Sequence, residues 1–231
     1  MHNDFAAEAL GRCRLFAGMS GDSLAAISRT LRGRRFRRGE VLFHEGDPGD
    51  ALFVVASGAV KVVVPSEEGE EAILATLRRG DFLGELALLD GAPRSASAIA
   101  LEATEALALP RDQFLALVAR EAAIRDALLA SLAGELRHLT THVAELHFLD
   151  LTGRLAARLA RLAQEHGERQ PDGSIRLDAP LTQSDLAAMI GSTRQSVNKL
   201  LGEFEDDGLL RIEHDSYFVP NLERLASKAR R

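Results

Sequence analysis

The residues best suited to bind a ligand lie in one short segment, Phe82 to Ala98, which joins a turn glycine, an acid and an arginine. A short helical turn that starts near Gly84 would offer unpaired backbone N–H groups to an anion. Arg94 can hold phosphate oxygens with two parallel hydrogen bonds, and Ser95 adds a hydroxyl donor. Glu85, an acceptor only when ionised, suits a sugar hydroxyl. An ion pair between Glu85 and Arg94 that closes a loop is an alternative explanation of the same spacing.

A second segment, Ser192 to Lys199, has the residue types that read DNA base edges. It contains two cations, two amides and several hydroxyls, and the next acid is Glu203. Arginine pairs with guanine, glutamine and asparagine pair with adenine, and serine, threonine or lysine hold phosphates. A solvated helix face is the alternative interpretation of these residues.

The ligand segment belongs to a stretch with an all-β pattern, residues 33–110. Short β-prone runs at 41–43, 52–55, 60–64 and 73–77 are separated by turn signals at fairly regular intervals. This pattern predicts a compact roll or barrel rather than a parallel α/β sheet. A helical stretch from Phe5 to Leu31 is predicted before it.

A long helix with a heptad seam is predicted after the β-pattern. Its apolar residues follow a 3,4,3,4,3 spacing, namely Leu129, Leu132, Leu136, Leu139, Val143 and Leu146. So narrow a stripe favours a contact between two helices of a dimer, although a helix packed on its own domain would also explain the apolar residues. Residues 149–153 break the periodicity, and we expect a hinge there.

The C-terminal segment contains the pattern of two short helices joined by a tight turn. Thr182 lies three residues before Asp185, as in a capped helix start, and Gly191 supplies a turn before a second helix opened by Ser192 or Thr193. This pattern is typical of a helix-turn-helix. Three further elements are predicted: a helix over 153–166, a strand over 174–177 and a β-prone wing over 209–219.

Composition and motifs exclude several classes of protein. The chain has 231 residues, of which 46% are hydrophobic and 27% charged, as expected for a globular protein of one or two domains. It has no uncharged apolar run of about 18 residues and no basic leader, so we expect neither a membrane span nor secretion. It also lacks a nucleophile elbow and a phosphate-loop lysine motif, so we predict that it is not an enzyme.

The cysteine, histidine and charged residues indicate the cellular compartment and limit the kinds of ligand and partner that we expect. The single cysteine, Cys13, can form no internal disulfide or iron–sulfur site, which favours the cytoplasm. His138, His142 and Glu145 share a helix face, but histidines on a polar stripe are usually solvated, so we predict no metal site. The net charge of −6 argues against indiscriminate nucleic-acid binding, although residues 151–231 are neutral overall and leave room for a basic reading surface.

Several motifs together resemble a known family. Residues 39–50, Ser57-Gly58, Phe82 to Leu89 and Pro93 to Ala96 resemble the cyclic-nucleotide-binding domain and its phosphate-binding cassette. With the seam helix, residues 148–154 and the helix-turn-helix, the chain is similar to the catabolite activator (cyclic AMP receptor protein) family of bacterial transcription regulators. The resemblance implies an α+β protein with three parts: a cyclic-nucleotide-binding β-roll with flanking helices over 1–118, a long dimerisation helix and hinge over 119–150, and a winged helix-turn-helix DNA-binding domain over 151–231.

The resemblance also implies roles for individual residues. Gly84 and Glu85 hold the ribose, and Arg94 and Ser95 hold the cyclic phosphate. The implied nucleotide site comprises Gly84, Glu85, Leu86, Arg94, Ser95, Thr140 and Thr141, and the implied DNA-binding set comprises Thr193, Arg194, Gln195, Ser196, Asn198 and Lys199.

The base-contacting pair of the long helix is where the sequence departs from the family. That pair falls on Leu139 and Thr140 or, with a shift of one residue, on Thr140 and Thr141. Thr140 is the better candidate because it lies beside the seam, whereas Thr141 should point away from it. The departure leaves the base open, so cyclic AMP is the first expectation and cyclic GMP or another nucleotide the alternative.

The function implied by the resemblance is a homodimeric transcription regulator under allosteric control. A cyclic nucleotide alters the seam helix, and two reading helices bind a near-palindromic site in double-stranded DNA, with RNA polymerase as a further partner. One alternative is a regulator of the same family that works without a ligand or with another effector. Another is a nucleotide-binding module of a kinase or channel, which would not need the reading helix.

Overall fold

The computed structural model describes residues 2–68, 70–177, 180–213 and 216–229, with the backbone alone for residues 2–5. It divides into two compact units, Met1–Glu135 and Leu136–Arg231. Within the described ranges, no helix is long and apolar enough to span a membrane.

The first unit opens with two helices and a short 3₁₀ turn: α1 (His2–Arg12), the turn (Arg14–Phe16) and α2 (Gly21–Ser28). The prediction of one helical stretch from Phe5 to Leu31 is therefore wrong in its continuity. Cys13 takes an extended backbone conformation. The Ser20 side chain then accepts a hydrogen bond from the Ser23 N–H and so starts a new helix.

The β-pattern forms the predicted roll. In the described part of this unit its strands are β1 (Arg32–Phe36), β2 (Val41–Phe43), β3 (Ala51–Ser57), β4 (Ala59–Pro65), β5 (Glu71–Arg78), β6 (Phe82–Leu83), β7 (Ser97–Ala100) and β8 (Thr104–Pro110). The strands pair antiparallel in two sheets, of order β1-β8-β3-β6 and β2-β7-β4-β5. Each β-prone run lies within a strand, which confirms the prediction.

Strand β3 is apolar throughout because both of its faces are buried. Successive side chains of a strand point to opposite faces. Leu52 and Val54 belong to the core cluster that contains the helices, whereas Phe53 and Val55 belong to the cluster between the two sheets. A strand covered on both sides has no solvent face on which polar residues could alternate.

Two helices follow the roll, α4 (Arg111–Arg120) and α5 (Ala122–Phe148), separated by the extended backbone of Glu121. Near its start, α5 buries Ile124 and Leu128 in the helix-containing core cluster. Most of the heptad seam is exposed in the single chain, with 39% to 65% of each residue's surface accessible at Leu129, Leu136, Leu139, Val143 and Leu146. Packing on the rest of the described chain therefore does not explain the seam.

The second unit contains the predicted helix-turn-helix and its wing. Its elements are α6 (Leu151–His166), β9 (Glu168–Arg169), β10 (Ile175–Leu177), α7 (Gln183–Ile190), α8 (Arg194–Asp206), β11 (Arg211–Glu213), β12 (Ser216–Val219) and α9 (Leu222–Lys228). The strands form a small sheet of order β11-β12-β10-β9. The predicted helix and strand are confirmed, and β11 and β12 form the described part of the predicted wing, of which residues 214 and 215 lie outside the described residues. The periodicity breaks where the Asp150 carboxylate accepts the Gly153 N–H at 2.7 Å and starts α6.

Candidate functional site

The ligand segment folds as a turn, a short helix and a second turn between β6 and β7. Gly84 follows β6, and α3 (Glu85–Asp90) begins at the next residue and ends before Gly91. Gly84 has a φ of +89°, which disfavours any residue with a Cβ. A Cβ there would also lie 2.2 Å from Arg94 Nη1. Glycine is thus required at this position for the arginine to approach the backbone.

Arg94 is buried, with only 3% of its surface exposed. Its Nη1 donates to the Gly84 carbonyl at 2.7 Å, and its Nη2 donates to the Ala51 carbonyl at 2.7 Å. Nη2 also lies 3.3 Å from Asp50 Oδ1, and the guanidinium stacks 4.3 Å from the centre of the Phe43 ring. The carboxylate partner of Arg94 is therefore Asp50, so the alternative of a loop-closing Glu85–Arg94 ion pair is wrong for the described residues.

One nitrogen of Arg94 has no acceptor. Its Nε is buried and lacks a hydrogen-bond partner within the described part of the chain. Burial lowers the pKa of the guanidinium, whereas the charge of Asp50 raises it. An unpaired buried donor on a charged group is costly, and an anion that accepts from it would offset that cost. The cassette therefore fits an anionic ligand.

Glu85 lies half-buried at the start of α3. Burial raises the pKa of its carboxyl, and the negative charge of Glu135 on α5 raises that pKa further, while a backbone hydrogen bond and Arg94 oppose the shift. Leu86 and Ser95 are exposed at the surface. The structure thus brings Gly84, Glu85, Leu86, Arg94 and Ser95 together in one cassette.

Sequence reasoning missed Asp50 and Glu135. Asp50 directly precedes β3, at the end of the segment 39–50 that carries the resemblance, and the sequence predicts no role for its side chain. Glu135 lies seven residues after the buried Leu128, so helical periodicity places both on the face of α5 that turns toward the roll. That periodicity is the signal that could have identified Glu135.

Thr140 and Thr141 lie on α5 within the second compact unit and are exposed. Each hydroxyl donates to a backbone carbonyl four residues earlier, Thr140 to Leu136 at 2.8 Å and Thr141 to Arg137 at 3.0 Å. Their oxygens remain free to accept. Their contact with a base stays a prediction.

The helix-turn-helix begins and turns where the sequence predicts. Thr182 caps α7 through a capping box with Asp185, and Gly191 turns the chain with a φ of +65°. Thr193 then caps α8, because its hydroxyl accepts the Ser196 N–H at 3.2 Å. The apolar side of α8 is buried at Val197, Leu200, Leu201 and Phe204.

The polar face of α8 carries the predicted DNA-binding residues. The exposed ones are Thr193, Arg194, Gln195, Asn198 and Lys199, whereas Ser196 is half-buried. Lys199 Nζ lies 3.8 Å from Glu203 in an exposed pair, which contributes little to stability. The Asn198 oxygen accepts from Gln183 Nε2 at 3.0 Å, so one side of that amide is already engaged. Sequence reasoning missed Gln183, whose position directly after the α7 cap was the available signal.

The histidine stripe on α5 does not form a metal centre in the described residues. His142 Nδ1 lies 3.8 Å from Glu145 Oε2. Glu145 also forms an ion pair with Arg161 of α6. The carboxylate is thus engaged by a protein cation.

Two family models match the chain. The cyclic nucleotide-binding domain matches residues 33–121, and the Crp-like helix-turn-helix domain matches residues 153–228.

Individual relatives match along most of its length. The chain is 36% identical over 223 residues to a CRP-like cAMP-activated global transcriptional regulator of Mycobacterium tuberculosis, which covers 96% of this chain and 99% of that protein. It is 34% identical over 198 residues to the cyclic AMP receptor protein of Thermus thermophilus, covering 86% and 88% of the two chains. A solved CRP/FNR-family transcriptional regulator of Thermus thermophilus superposes with a TM-score of 0.70 at 28% identity, over 87% of this chain and 99% of that one.

Proposed function

The chain belongs to the CRP family of DNA-binding transcription regulators, and we propose that it is a homodimer whose DNA affinity is controlled by a cyclic nucleotide. The family assignment confirms the sequence-based resemblance, the α+β fold class and the prediction that the protein is not an enzyme. We propose cyclic AMP as the effector and cyclic GMP as the alternative. We further propose a nucleotide-binding domain over 1–118, a dimerisation helix and hinge over 119–150 and a DNA-binding domain over 151–231.

The unpaired Nε–H of Arg94 is the observation that carries the effector proposal. An oxygen of a cyclic phosphate supplies the missing acceptor, and the exposed Ser95 hydroxyl adds a donor beside it. Glu85 accepts from the ribose hydroxyl next to Gly84. Leu86, Thr140 and Thr141 are the proposed contacts to the rest of the nucleotide. The relative from M. tuberculosis is cAMP-activated by name, which supports this choice of effector.

The exposed heptad seam supports the homodimer. Five apolar side chains of one stripe, from Leu129 to Leu146, are exposed in the single chain. Packing this stripe against the same stripe of a second copy removes it from water and gives a self-complementary two-helix contact. We therefore propose α5 as the dimer interface.

The reading helix α8 is the proposed contact to double-stranded DNA. Arg194 suits a guanine, Gln195 and Asn198 suit an adenine, and Thr193 and Ser196 lie at the helix start, where phosphates bind. We assign Lys199 to the same surface. A twofold dimer places two such helices about 34 to 36 Å apart, which requires a near-palindromic site. RNA polymerase is a further proposed partner, and the cytoplasm the proposed compartment.

Calorimetric titration of the purified full chain with cyclic AMP and cyclic GMP tests the effector. We expect heat with one of them, and at least a 30-fold loss of affinity in Arg94→Ala, about 2 kcal/mol. Arg38→Ala, an exposed arginine of the same unit, is the matched control and should bind as the wild type does. Thermal unfolding of each variant establishes that it is folded.

The absence of binding to either nucleotide, supported by a displacement assay, would contradict the proposed effector. It would leave the alternative of a family member that works without a ligand or with another effector. Normal binding by folded Arg94→Ala would remove Arg94 from the site.

A further inference from the structure

Helix α6 has two faces of different chemistry. Its apolar side chains are buried in the second unit. On another face lie Arg154, Arg158 and Arg161, at spacings of four and three residues, and all three are half-buried. Half-buried cations need partners, so their contacts show which elements this face joins.

One set of contacts reaches the end of the seam helix α5. Arg154 Nε donates to the Leu149 carbonyl at 3.0 Å, and its Nη2 donates to the Leu146 carbonyl at 2.9 Å. The last carbonyls of a helix lack partners within it and carry partial negative charge, so a guanidinium stabilises them. Arg161 forms an ion pair with Glu145, which is adjacent to the seam residue Leu146.

A second set of contacts reaches the end of α7, the first helix of the helix-turn-helix. Arg158 Nε lies 3.1 Å from Met189 Sδ, and Arg154 Nη1 lies 3.5 Å from the Ile190 carbonyl. Ile190 is the last residue of α7, and the turn at Gly191 leads into α8. The same helix face thus contacts both the seam helix and the element that positions the reading helix.

Two carboxylates, Glu165 and Glu145, offset the positive charge of this face. Burial, and then the charge of Arg161, lower the pKa of Arg158, whereas the charges of Glu165 and Glu145 raise it. In the described residues Arg158 makes no ion pair with a carboxylate within 4.0 Å, and the thioether of Met189 is only a weak acceptor. Glu145 is therefore the carboxylate that directly pairs with this cluster of cations.

We infer that the arginine face of α6 passes the state of the seam helix to the reading helix, with the Glu145–Arg161 pair as the contact that holds it. The three arginines lie on α6 and belong to neither the cassette nor the polar face of α8, so we assign them as positioning residues. A shift of α5 carries Glu145 and the carbonyls of Leu146 and Leu149 together. The arginine face of α6 moves with these groups because it is bonded to them. Helix α7 then moves with α6 through the contacts at Met189 and Ile190.

The test compares DNA dissociation constants of the full chain with and without saturating cyclic AMP. It rests on the proposed function and uses a duplex that the wild-type protein selects from a random library. Glu145→Gln and Arg161→Gln remove the ion pair, whereas Arg161→Lys retains a cation that can reach Glu145. Arg169→Gln, an exposed arginine of β9, is the matched control.

We expect the ratio of the two dissociation constants to fall at least about fivefold in Glu145→Gln and Arg161→Gln. Arg161→Lys and Arg169→Gln should keep most of the wild-type ratio. A purely structural role would weaken DNA binding equally with and without cyclic AMP and leave the ratio unchanged. A wild-type ratio in both folded glutamine variants would overturn the inference.

A second measurement separates failure of this inference from failure of the proposed effector. If cyclic AMP leaves the wild-type DNA affinity unchanged, the proposed effector fails, and amide hydrogen exchange of residues 183–190 in the ligand-free full chain then tests the contact. Glu145→Gln should raise that exchange about tenfold, because it weakens a contact that opposes local opening, with Arg161→Lys and Arg169→Gln near the wild type. Unchanged exchange in Glu145→Gln would contradict the role of the arginine face.

Discussion

Arg94 is assigned to a cyclic phosphate and Arg194 to a DNA base, and the two arginines lie in opposite kinds of surroundings. Arg94 is 3% exposed and is fixed by the carbonyls of Gly84 and Ala51 and by Asp50. Arg194 is exposed at the first turn of α8, and no side-chain partner is found for it in the described residues. The arginine of the cassette is thus held in place by hydrogen bonds within the fold. The polar face of the reading helix is held mainly by the Thr193 cap at the start of α8.

This difference predicts different consequences of substitution in the two regions. The cassette arginine supports the backbone around it, so its loss should reduce both stability and effector binding. The reading arginine supports nothing in the free protein, so its loss should reduce DNA binding alone. The following variants test whether substitutions in the two regions have these different effects.

Arg94→Ala should have the largest effect. It leaves the Gly84 and Ala51 carbonyls without their donor, which should cost about 2 to 4 kcal/mol of unfolding free energy in addition to the loss of effector binding. Urea unfolding with and without cyclic AMP measures both. Equal stability of the variant and the wild type would show that the buried hydrogen bonds do not support the fold.

Gly84→Ala should come next, at about 2 to 4 kcal/mol, because its Cβ would clash with Arg94 at a φ of +89°. Gly91→Ala is the matched control at the other end of α3. It has a φ of +75°, but the nearest atom to its Cβ is Arg111 Nη2 at 3.8 Å, so we expect a cost of only about 1 to 2 kcal/mol. Thermal or urea unfolding would contradict the close-approach argument if the two variants lost equal stability.

Arg194→Ala should weaken DNA binding by about 1 to 3 kcal/mol and relax the preference at one base pair. Its unfolding midpoint and its cyclic AMP affinity should match those of the wild type. Fluorescence anisotropy on duplexes with single base changes provides the measurement. An unchanged base preference would show that Arg194 does not read a base.

Glu85→Gln should have the smallest effect on stability, and the size of that effect depends on pH. The folded-state pKa of Glu85 is raised, so its contribution to stability is present at low pH and is lost as pH rises through that pKa. The ligand-free variant should therefore unfold at a slightly higher temperature than the wild type at pH 7, and this difference should disappear well below pH 4.5, the ordinary pKa of the group. Glu67→Gln, which changes an exposed carboxylate of the same unit, is the matched control. A Glu85→Gln that is less stable than the wild type at pH 7 would contradict burial as the dominant cause.

The sequence predicts the parts of the molecule that depend on local patterns. The β-prone runs, the heptad spacing and the Thr182 cap each depend on residues a few positions apart, and the structure contains all of them. The continuity of the first helical stretch is wrong because local capping by Ser20 competes with the apolar periodicity.

Long-range partners are the part that the sequence does not predict. Asp50 is 44 residues from Arg94, and Gln183 is 15 residues from Asn198. Which acid meets the arginine depends on how β3 and the cassette pack in the sheet, so Glu85 looked equally suitable by spacing. Position along the chain alone does not show which charges tertiary packing brings together.

Selection of duplexes from a random DNA library, with and without saturating cyclic AMP, tests the central claim most directly. We predict that the wild-type protein enriches a near-palindromic site with half-sites about one helical turn apart, and that cyclic AMP changes the degree of enrichment. A folded Arg94→Ala should respond to cyclic AMP little or not at all. Identical enrichment with and without cyclic AMP, at concentrations where calorimetry shows the wild-type site filled, would contradict the control of DNA binding by the nucleotide.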